Sequence, residues 1–388
     1  MRRLAIAAVV PLLLLGACSQ GGNESEVTIT GTPPAEPQGS GVPVAPSSSG
    51  SPSGAPSTSP TDDPGTGEPQ VLEEIAIGLA APWGLDFLPD GDAVVTERDT
   101  RRVLLVKGPD HEVVEVGTID IAAPEGEAGL LGVAVSPKFD TDRLLYFYVS
   151  TADDNRVVRA RLEGNRLGKV RPVLTGIPNG YIHDGGRLEF GPDGFLYVST
   201  GETGTGLLAQ ERGGLAGKIL RITTEGKPAK GNPFGTPVWS WGHRNVQGLA
   251  FDDAGVLWAS EFGQDEFDEL NRITKGENYG WPAVEGTGGE RQGFVDPQQV
   301  WHPDDSSPSG LAFLDGYLWM AALKGERLWR VEVDGNRAVD PQGFFIGDYG
   351  RMRTVAVTPD GELWVMTSNR DTRGDPGPGD DKILLVQP

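Results

Sequence analysis

The sequence predicts an all-β protein, a six-bladed β-propeller of four-stranded antiparallel blades. One short phrase occurs six times: an apolar residue, a turn of Pro, Asp, Asn or Gly, and an apolar-rich strand. Asp-Gly between two apolar runs indicates a hairpin, because Gly supplies the positive φ of the turn. The copies start 44 to 62 residues apart, at Phe87, Val135, Phe190, Phe251, Phe313 and Val357. A period near fifty residues with several short strands is typical of propeller blades, whose loops form a ligand pocket on one face.

The N-terminus predicts export rather than a part of the fold. A basic start is followed by an apolar run, Leu4 to Leu15, which is too short to span a bilayer. The run ends in Leu-Gly-Ala-Cys, which resembles a bacterial lipobox, so residues 1–18 are predicted to be a lipoprotein signal peptide. Cys18 would carry the lipid and anchor the protein to the outer face of the cell membrane. Since Cys18 is the only cysteine, the sequence excludes a disulfide framework and a thiolate metal site.

Residues 19–70 are predicted to be a disordered linker. They contain ten Pro, ten Ser and nine Gly and no aromatic residue, so they bury too little apolar surface to offset their chain entropy. The expected role is a tether between the lipid and the propeller, which is predicted to occupy residues 71–388.

The charge of the chain excludes some partners. The formal net charge is −22, and 49 acidic against 31 basic residues leave the propeller domain at −18. Such a balance argues against nucleic acid and against anionic membrane surfaces. The membrane is therefore expected to be reached only through the lipid anchor.

The first polar cluster precedes the third phrase and contains His183 and Arg187 around two glycines. We expect the ring of His183 to project from a tight loop, where a neutral imidazole can take a proton from an alcohol. The alternative is a hydrogen-bonded loop histidine.

The second cluster, Gly242 to Leu249, precedes the fourth phrase. It places His243, Arg244, Asn245 and Gln247 between glycines, which suits close approach of the backbone to a polar ligand. A polar network between blades is an equal alternative.

The third cluster extends from Glu261 to Asn271 and continues at Asn278 to Pro282. Its carboxylates, loop carbonyls and Asn oxygens are the ligands that Ca²⁺ prefers, although the spacing is not that of an EF-hand. The metal interpretation and a purely structural one remain open here.

The last cluster is cationic. Arg351 and Arg353 lie two positions apart, so on a strand their side chains point to the same face. With Lys324 they could bind a multiply charged anion. The alternative is ion pairing with neighbouring carboxylates.

Together and in this order, the clusters resemble the soluble aldose dehydrogenases that use pyrroloquinoline quinone (PQQ), the glucose/sorbosone dehydrogenase family. The resemblance covers essentially all of residues 71–388. Its most specific stretches are 242–249 and 268–282, supported by Gly129 to Gly132 and His183 to Leu188. Family members are six-bladed propellers, which agrees with the phrase count.

The resemblance implies a role for each of the matching residues. His183 matches the general base that takes the proton of the sugar's anomeric hydroxyl. Arg244 matches an arginine that hydrogen-bonds the reactive quinone oxygen, and Asn245 matches a cofactor-binding residue. Cations that hold the carboxylates of the quinone match Lys324, Arg351 and Arg353.

Calcium positions also follow from the resemblance. Gly263 and Gln264 match residues whose carbonyls bind the catalytic Ca²⁺, and Glu269 and Tyr279 match ligands of further structural calcium.

Elsewhere the chain departs from the family pattern. A cofactor-pocket position expected to be glutamine is Glu127, and the carboxylate expected to support the base falls at Glu202 rather than on an aspartate. An anionic Glu127 would weaken binding of an anionic cofactor unless it were paired, protonated or turned toward calcium.

The resulting hypothesis is a lipid-anchored dehydrogenase that depends on PQQ and Ca²⁺. It would oxidise the anomeric carbon of an aldose to a lactone and pass the electrons to an external acceptor. Two alternatives remain: an inactive propeller that binds carbohydrate or protein, and a calcium-dependent lactone hydrolase, which would not need the late cationic cluster.

Overall fold

The structure, a computed structural model, describes residues 67–388. The predicted signal peptide, Cys18 and nearly all of the predicted linker therefore lie outside the described residues. Within the described part of the chain, no helix has the length and apolar character needed to cross a membrane. The described residues form six antiparallel sheets, which we number blades 1 to 6 in the order of their innermost strands.

Blades 1 to 3 come from the first half of the domain. Blade 1 contains β2 (Pro82–Phe87), β3 (Ala93–Glu97), β4 (Arg102–Lys107) and β5 (Glu112–Thr118). Blade 2 contains β6 (Leu130–Val135), β7 (Leu144–Ser150), β8 (Asn155–Glu163), the short β9 (Arg166–Leu167) and β10 (Arg171–Ile177). Blade 3 contains β11 (Leu188–Phe190), β12 (Leu196–Ser199), β13 (Lys218–Ile222) and β14 (Val238–Trp241).

Blades 4 to 6 follow. Blade 4 contains β15 (Val246–Phe251), β16 (Leu257–Glu261), β17 (Asp268–Ile273) and β18 (Gln299–Trp301). Blade 5 contains β19 (Pro308–Leu314), β20 (Tyr317–Ala322), β21 (Arg327–Asp334) and β22 (Arg337–Phe344). Blade 6 contains β23 (Met352–Val357), β24 (Leu363–Thr367), β25 (Ile383–Gln387) and β1 (Gln70–Ala76). The helices are short: α1 (Phe139–Asp142) and two 3-10 turns, Gly206–Gln210 and Glu290–Gln292.

The predicted six-bladed propeller is confirmed. Each repeated phrase forms the hairpin between the innermost strand of a blade and the next strand. The Gly residues of these turns have the positive φ that the hairpin requires, for example 91° at Gly91 and 76° at Gly194. The innermost strands contact one another around the ring.

The core is divided among the blade interfaces. Six clusters of buried apolar side chains lie between neighbouring blades. Large rings fill them, such as Trp83 between blades 1 to 3 and Trp258 between blades 4 and 5. Because each blade buries both faces, the strands read as nearly continuous apolar runs. This packing fixes the inner strands, and two polar residues of the site, Gln247 and Arg353, are the second residues of β15 and β23.

The ring is closed by the two ends of the domain. Strand β1 pairs antiparallel with β25, and Gln70 lies opposite Gln387. Arg330 also donates a hydrogen bond to the carbonyl of Gly67, at 2.8 Å. Closure therefore requires residues on both sides of the predicted domain start at residue 71.

Removal of β1 should lower stability. Ile75 and Ala76 are buried between blades 6 and 1, and burial of an Ile contributes about 1.5–3 kcal/mol. A protein beginning at Ile77 should therefore unfold several degrees below one beginning at Gly67, since about 2–4 °C corresponds to 1 kcal/mol in large domains. Thermal unfolding followed by circular dichroism compares the two directly. Equal midpoints would show that β1 does not contribute to closure.

Candidate active site

Loops from all six blades surround a cavity of about 310 Å³ at one end of the propeller axis. The inner strands begin at this end and finish at the other, where the phrase turns lie. Five cationic side chains line the cavity, namely Arg98, Lys324, Arg351, Arg353 and Arg373, and two carboxylates join them, Glu127 and Asp371. The lining therefore has a net charge of +3 in a domain at −18. Such a cavity attracts a small ligand with several negative charges.

Arg351 and Arg353 turn to the same carboxylate. Arg351 Nη2 lies 3.0 Å and Arg353 Nη2 lies 2.9 Å from Asp371 Oδ2. Burial would raise the pKa of Asp371, but the attraction of Arg353 and Arg351 lowers it to about 2. Ion pairing, the alternative from the sequence, thus occurs in the structure. It also holds the two guanidinium groups in fixed positions on the cavity wall.

Two further hydrogen bonds fix the side chain of Arg353. Its Nη1 donates to Gln247 Oε1 at 3.1 Å, and its Nε donates to Ser368 Oγ at 3.0 Å. Burial lowers the pKa of Arg353 to about 10, partly opposed by Asp371, so the side chain stays charged at neutral pH. Its guanidinium carbon lies 5.9 Å from the centre of the Trp83 ring, which also lines the cavity.

Lys324 lies at the exposed rim of the cavity, where its Nζ forms an ion pair with Asp304. Both side chains are more than half exposed to solvent. Exposed pairs of this kind contribute little to stability, so Lys324 can exchange its partner for a ligand at small cost.

Two neighbouring carboxylates, Glu127 and Glu202, hold His183 in place. Its backbone lies in the left-handed region, with φ of 60°, and its N–H donates to Glu127 Oε2 at 2.9 Å. On the ring, Nδ1 lies 2.5 Å from Glu202 Oε1. Within residues 67–388, no hydrogen bond engages Nε2. The arrangement is therefore a histidine oriented by a buried carboxylate, with its second nitrogen left for a ligand.

The segment after β12 brings the predicted base together with the second cluster. Glu202 donates its backbone N–H to the carbonyl of Arg244 at 2.9 Å, and Asn245 Oδ1 accepts from the N–H of Gly185 at 3.0 Å. Sequence positions 60 residues apart thus form one polar group.

His183, Arg244 and Asn245 are not among the residues that line the cavity, but each of them contacts a lining residue. Glu127 lines the cavity and binds His183, and Phe262 lines it and contacts Arg244 and Asn245 of the second cluster. The carbonyl of Phe262 accepts from Arg244 Nη1 at 3.3 Å, and its N–H donates to the carbonyl of Asn245 at 3.2 Å.

Arg244 carries a buried atom without a partner. Its Nε has no hydrogen bond among the described residues, and neither has Nε1 of Trp281, the ring over which the guanidinium lies at 5.3 Å. Burial lowers the pKa of Arg244, opposed by Glu202 and Glu285. Unsatisfied buried donors are costly, so these two fit a polar ligand that accepts hydrogen bonds.

The predicted calcium residues lie beside Arg244. Gly263, Glu269 and Tyr279 line a second, much smaller cavity of about 10 Å³ together with Arg244. The loop after Gly263 is organised by Glu285, whose Oε1 accepts the N–H groups of four consecutive residues, Gln264, Asp265, Glu266 and Phe267.

Several oxygens of this region already have protein partners. Glu269 accepts from Gly286 and Asn271, and burial together with Glu261 raises the pKa of Glu269 to about 8. The Tyr279 hydroxyl donates to the carbonyl of Arg272 and accepts from the N–H of Thr274. In the part of the chain that the structure describes, no group of three or more His, Cys, Asp or Glu side chains is arranged to hold a metal. The loop oxygens are nevertheless of the chemical type that calcium binds.

Part of the cavity wall was not predictable from the polar clusters. Among the lining residues, the polar clusters did not include Trp83, Arg98, Asp371 and Arg373, whereas Gln247 belongs to the second cluster. A signal for two of them exists, since the chain reads Arg-Asp-Thr-Arg from Arg370 to Arg373, shortly after the strand of the sixth phrase ends at Thr367. The loop that follows the second strand of a blade lies at the same end of the propeller as the predicted site, because that strand runs antiparallel to the innermost one.

A comparison with known proteins shows which family this chain resembles. The model of the family described as glucose/sorbosone dehydrogenase matches residues 79–375.

The chain belongs to that family.

Relatives and solved structures agree with the match. Aldose sugar dehydrogenase YliI of Escherichia coli is 32% identical in an alignment of 343 positions that covers 78% of this chain and 91% of that protein. Quinoprotein glucose dehydrogenase B of Acinetobacter calcoaceticus is 33% identical in an alignment of 249 positions that covers 55% of this chain and 52% of that protein. The PQQ-bound form of aldose sugar dehydrogenase from Streptomyces coelicolor is 51% identical with a TM-score of 0.80, covering 82% of this chain and 98% of that chain.

Membership in the glucose/sorbosone dehydrogenase family supports an oxidoreductase. The matched residues include the predicted site from Glu127 to Arg353, and also Asp371 and Arg373. The propeller predicted from the repeated phrase and the family predicted from the polar clusters thus agree.

Proposed function

We propose that the protein oxidises the anomeric carbon of an aldose sugar to a lactone with PQQ as its redox cofactor, and that an external acceptor takes up the electrons. One observation carries this proposal. The buried carboxylate of Glu202 orients His183, and His183 contacts Glu127, which lines a cavity with a net charge of +3.

The residues present fit an anionic quinone. PQQ carries three carboxylates, and the cavity offers Arg351 and Arg353 on its wall and Lys324 at its rim. Charge-assisted hydrogen bonds to carboxylates are the strong ones. Arg244, with its unsatisfied Nε, and Asn245 would contact the quinone ring. When bound, the quinone supplies a two-electron acceptor for the hydride of the sugar carbon.

His183 would move the proton. Its Nε2 takes the proton of the anomeric hydroxyl as the C–H bond breaks, which leaves the carbonyl of the lactone. Glu202 would hold the ring in place during this step, because its buried carboxylate lies 2.5 Å from Nδ1. Arg244 provides positive charge near the place where negative charge develops. General-base catalysis of this kind contributes about 10²–10⁴-fold.

The proposal includes a Ca²⁺ ion bound by loop carbonyls. The carbonyls of Gly263 and Gln264 lie in a loop that Glu285 fixes by four hydrogen bonds, and carbonyl oxygens are suitable Ca²⁺ ligands. The bound ion would act as a Lewis acid close to Arg244.

Reconstitution tests the proposal. Protein dialysed against a strong chelator should reduce an artificial dye in the presence of an aldose only after PQQ and Ca²⁺ are both returned. Protein given Ca²⁺ alone is the matched control for the quinone, and protein given PQQ alone is the control for the metal.

Each failure of this experiment has its own meaning. Activity with PQQ alone would remove calcium from the proposal and keep the dehydrogenase. Hydrolysis of a lactone by protein given only Ca²⁺ would favour the hydrolase alternative, and dye reduction with a nicotinamide cofactor would contradict the proposal entirely.

A further inference from the structure

Glu127 joins three loops at the edge of the cavity. Its backbone N–H donates to the carbonyl of Tyr181 at 2.9 Å. Its Oε2 accepts from the N–H of His183 at 2.9 Å, and its Oε1 lies 2.8 Å from Nη1 of Arg373. The three loops belong to blades 2, 3 and 6, so a single carboxylate connects distant parts of the chain.

The contact with His183 acts on a constrained backbone. A left-handed φ is uncommon for residues other than glycine and persists where the surroundings determine it. Glu127 fixes the N–H of His183, and the N–H of Thr203 donates to its carbonyl at 3.2 Å. Gly201 leaves room for this carbonyl, since a Cβ there would lie 1.8 Å from it. Glu127 thereby helps to fix the backbone of His183, from which the ring reaches Glu202.

The carboxylate also has a charge to be neutralised. Glu127 lines the same cavity as Arg351 and Arg353, where an unpaired negative charge would oppose an anionic ligand. Arg373 cancels that charge, because the pair is neutral as a whole. The net charge of +3 therefore comes from the other lining residues.

We propose that Glu127 is a positioning residue for His183 and that Arg373 is its charge partner, which allows a carboxylate to orient the base without weakening binding of an anionic cofactor. The inference rests on the proposed function, since it takes the quinone as the anion and His183 as the base. It predicts that the two roles of Glu127 separate: the acceptor oxygen serves turnover, and the paired charge serves binding.

A double-mutant cycle tests the charge role. The variants are R373M, E127Q and E127Q/R373M, with R171M as matched control, since Arg171 is an exposed arginine on the outer strand β10 and lines a different cavity. Quinone binding is measured without sugar by equilibrium dialysis. R373M should raise the dissociation constant roughly tenfold at low salt and less at high salt, as expected for an uncompensated charge. The double variant should return to the wild-type value, and R171M should not change it.

A conservative pair of variants tests the positioning role. E127Q keeps an oxygen that can accept from the His183 N–H and should keep most of the turnover at saturating quinone. E127A loses this acceptor and should lower turnover by roughly tenfold or more without raising the quinone dissociation constant. Thermal midpoints show whether each variant is folded, and the R373M cycle decides the charge role if E127A does not fold.

The outcomes distinguish this inference from the proposed function. Failure of the wild type to bind quinone overturns both. Binding by wild type and R373M with equal dissociation constants overturns the charge role alone. Equal turnover of E127A and E127Q at saturating quinone overturns the positioning role alone.

Discussion

Replacement of His183 should lower sugar-dependent turnover by about 10²–10⁴-fold, the usual scale for loss of a general base, and should leave quinone binding little changed. The physical reason is the arrangement of the ring: Glu202 holds Nδ1, and Nε2 is left for the substrate. Asparagine is the best replacement, because it tolerates the left-handed backbone of this position and has no basic nitrogen. Steady-state assays of sugar-dependent turnover at saturating quinone and saturating aldose measure the effect.

The chain provides a matched control. His302 is an exposed histidine that lies near a carboxylate, Asp304, at 3.7 Å, and H302N should keep wild-type turnover. E202Q should fall between the two, since an amide still orients the ring but does not stabilise the imidazolium. Near-normal turnover of H183N, with the protein folded and the quinone bound, would mean that another group takes the proton.

The fold was predictable because its signal is local. Each phrase contains a complete inner hairpin, and a turn glycine with positive φ, such as Gly91, can be identified without tertiary information. The pairing of β1 with β25 carries no such signal, since the paired residues are separated by more than 300 positions. The additional strand β9 in blade 2 has two residues and no distinctive pattern.

The site was predictable where several polar residues cluster in sequence. His183 and Arg244 are examples, and the backbone contact between Glu202 and Arg244 brings their clusters together. The sequence could not assign a partner to Arg351 and Arg353, because Asp371 lies about twenty residues later, beyond a complete strand. The effect of Glu127 also depended on a distant residue, because Arg373 forms an ion pair with it in the wall of the cavity.

Simultaneous replacement of Arg351 and Arg353 by alanine should raise the quinone dissociation constant by roughly a hundredfold or more. A hydrogen bond to a charged group contributes about 1.5–3 kcal/mol, so each lost arginine weakens binding about tenfold to a hundredfold. Excess quinone should restore much of the turnover in this variant, whereas it should restore none in H183N. Titration of quinone with dye reduction as readout distinguishes a binding defect from a catalytic one.

The same variant should also become less stable, through Asp371. In the wild type the pKa of Asp371 is lowered from 3.8 to about 2 by its arginines against the effect of burial. The pairing therefore stabilises the fold fully above pH 3.8 and is lost as the pH falls toward 2. Without the arginines, burial remains and raises the pKa of Asp371, so the folded protein should lose stability at neutral pH. D371N added to the double replacement removes this charge, and should restore the thermal midpoint without restoring quinone affinity. Recovery of affinity in that triple variant would show that the two arginines serve only to neutralise Asp371.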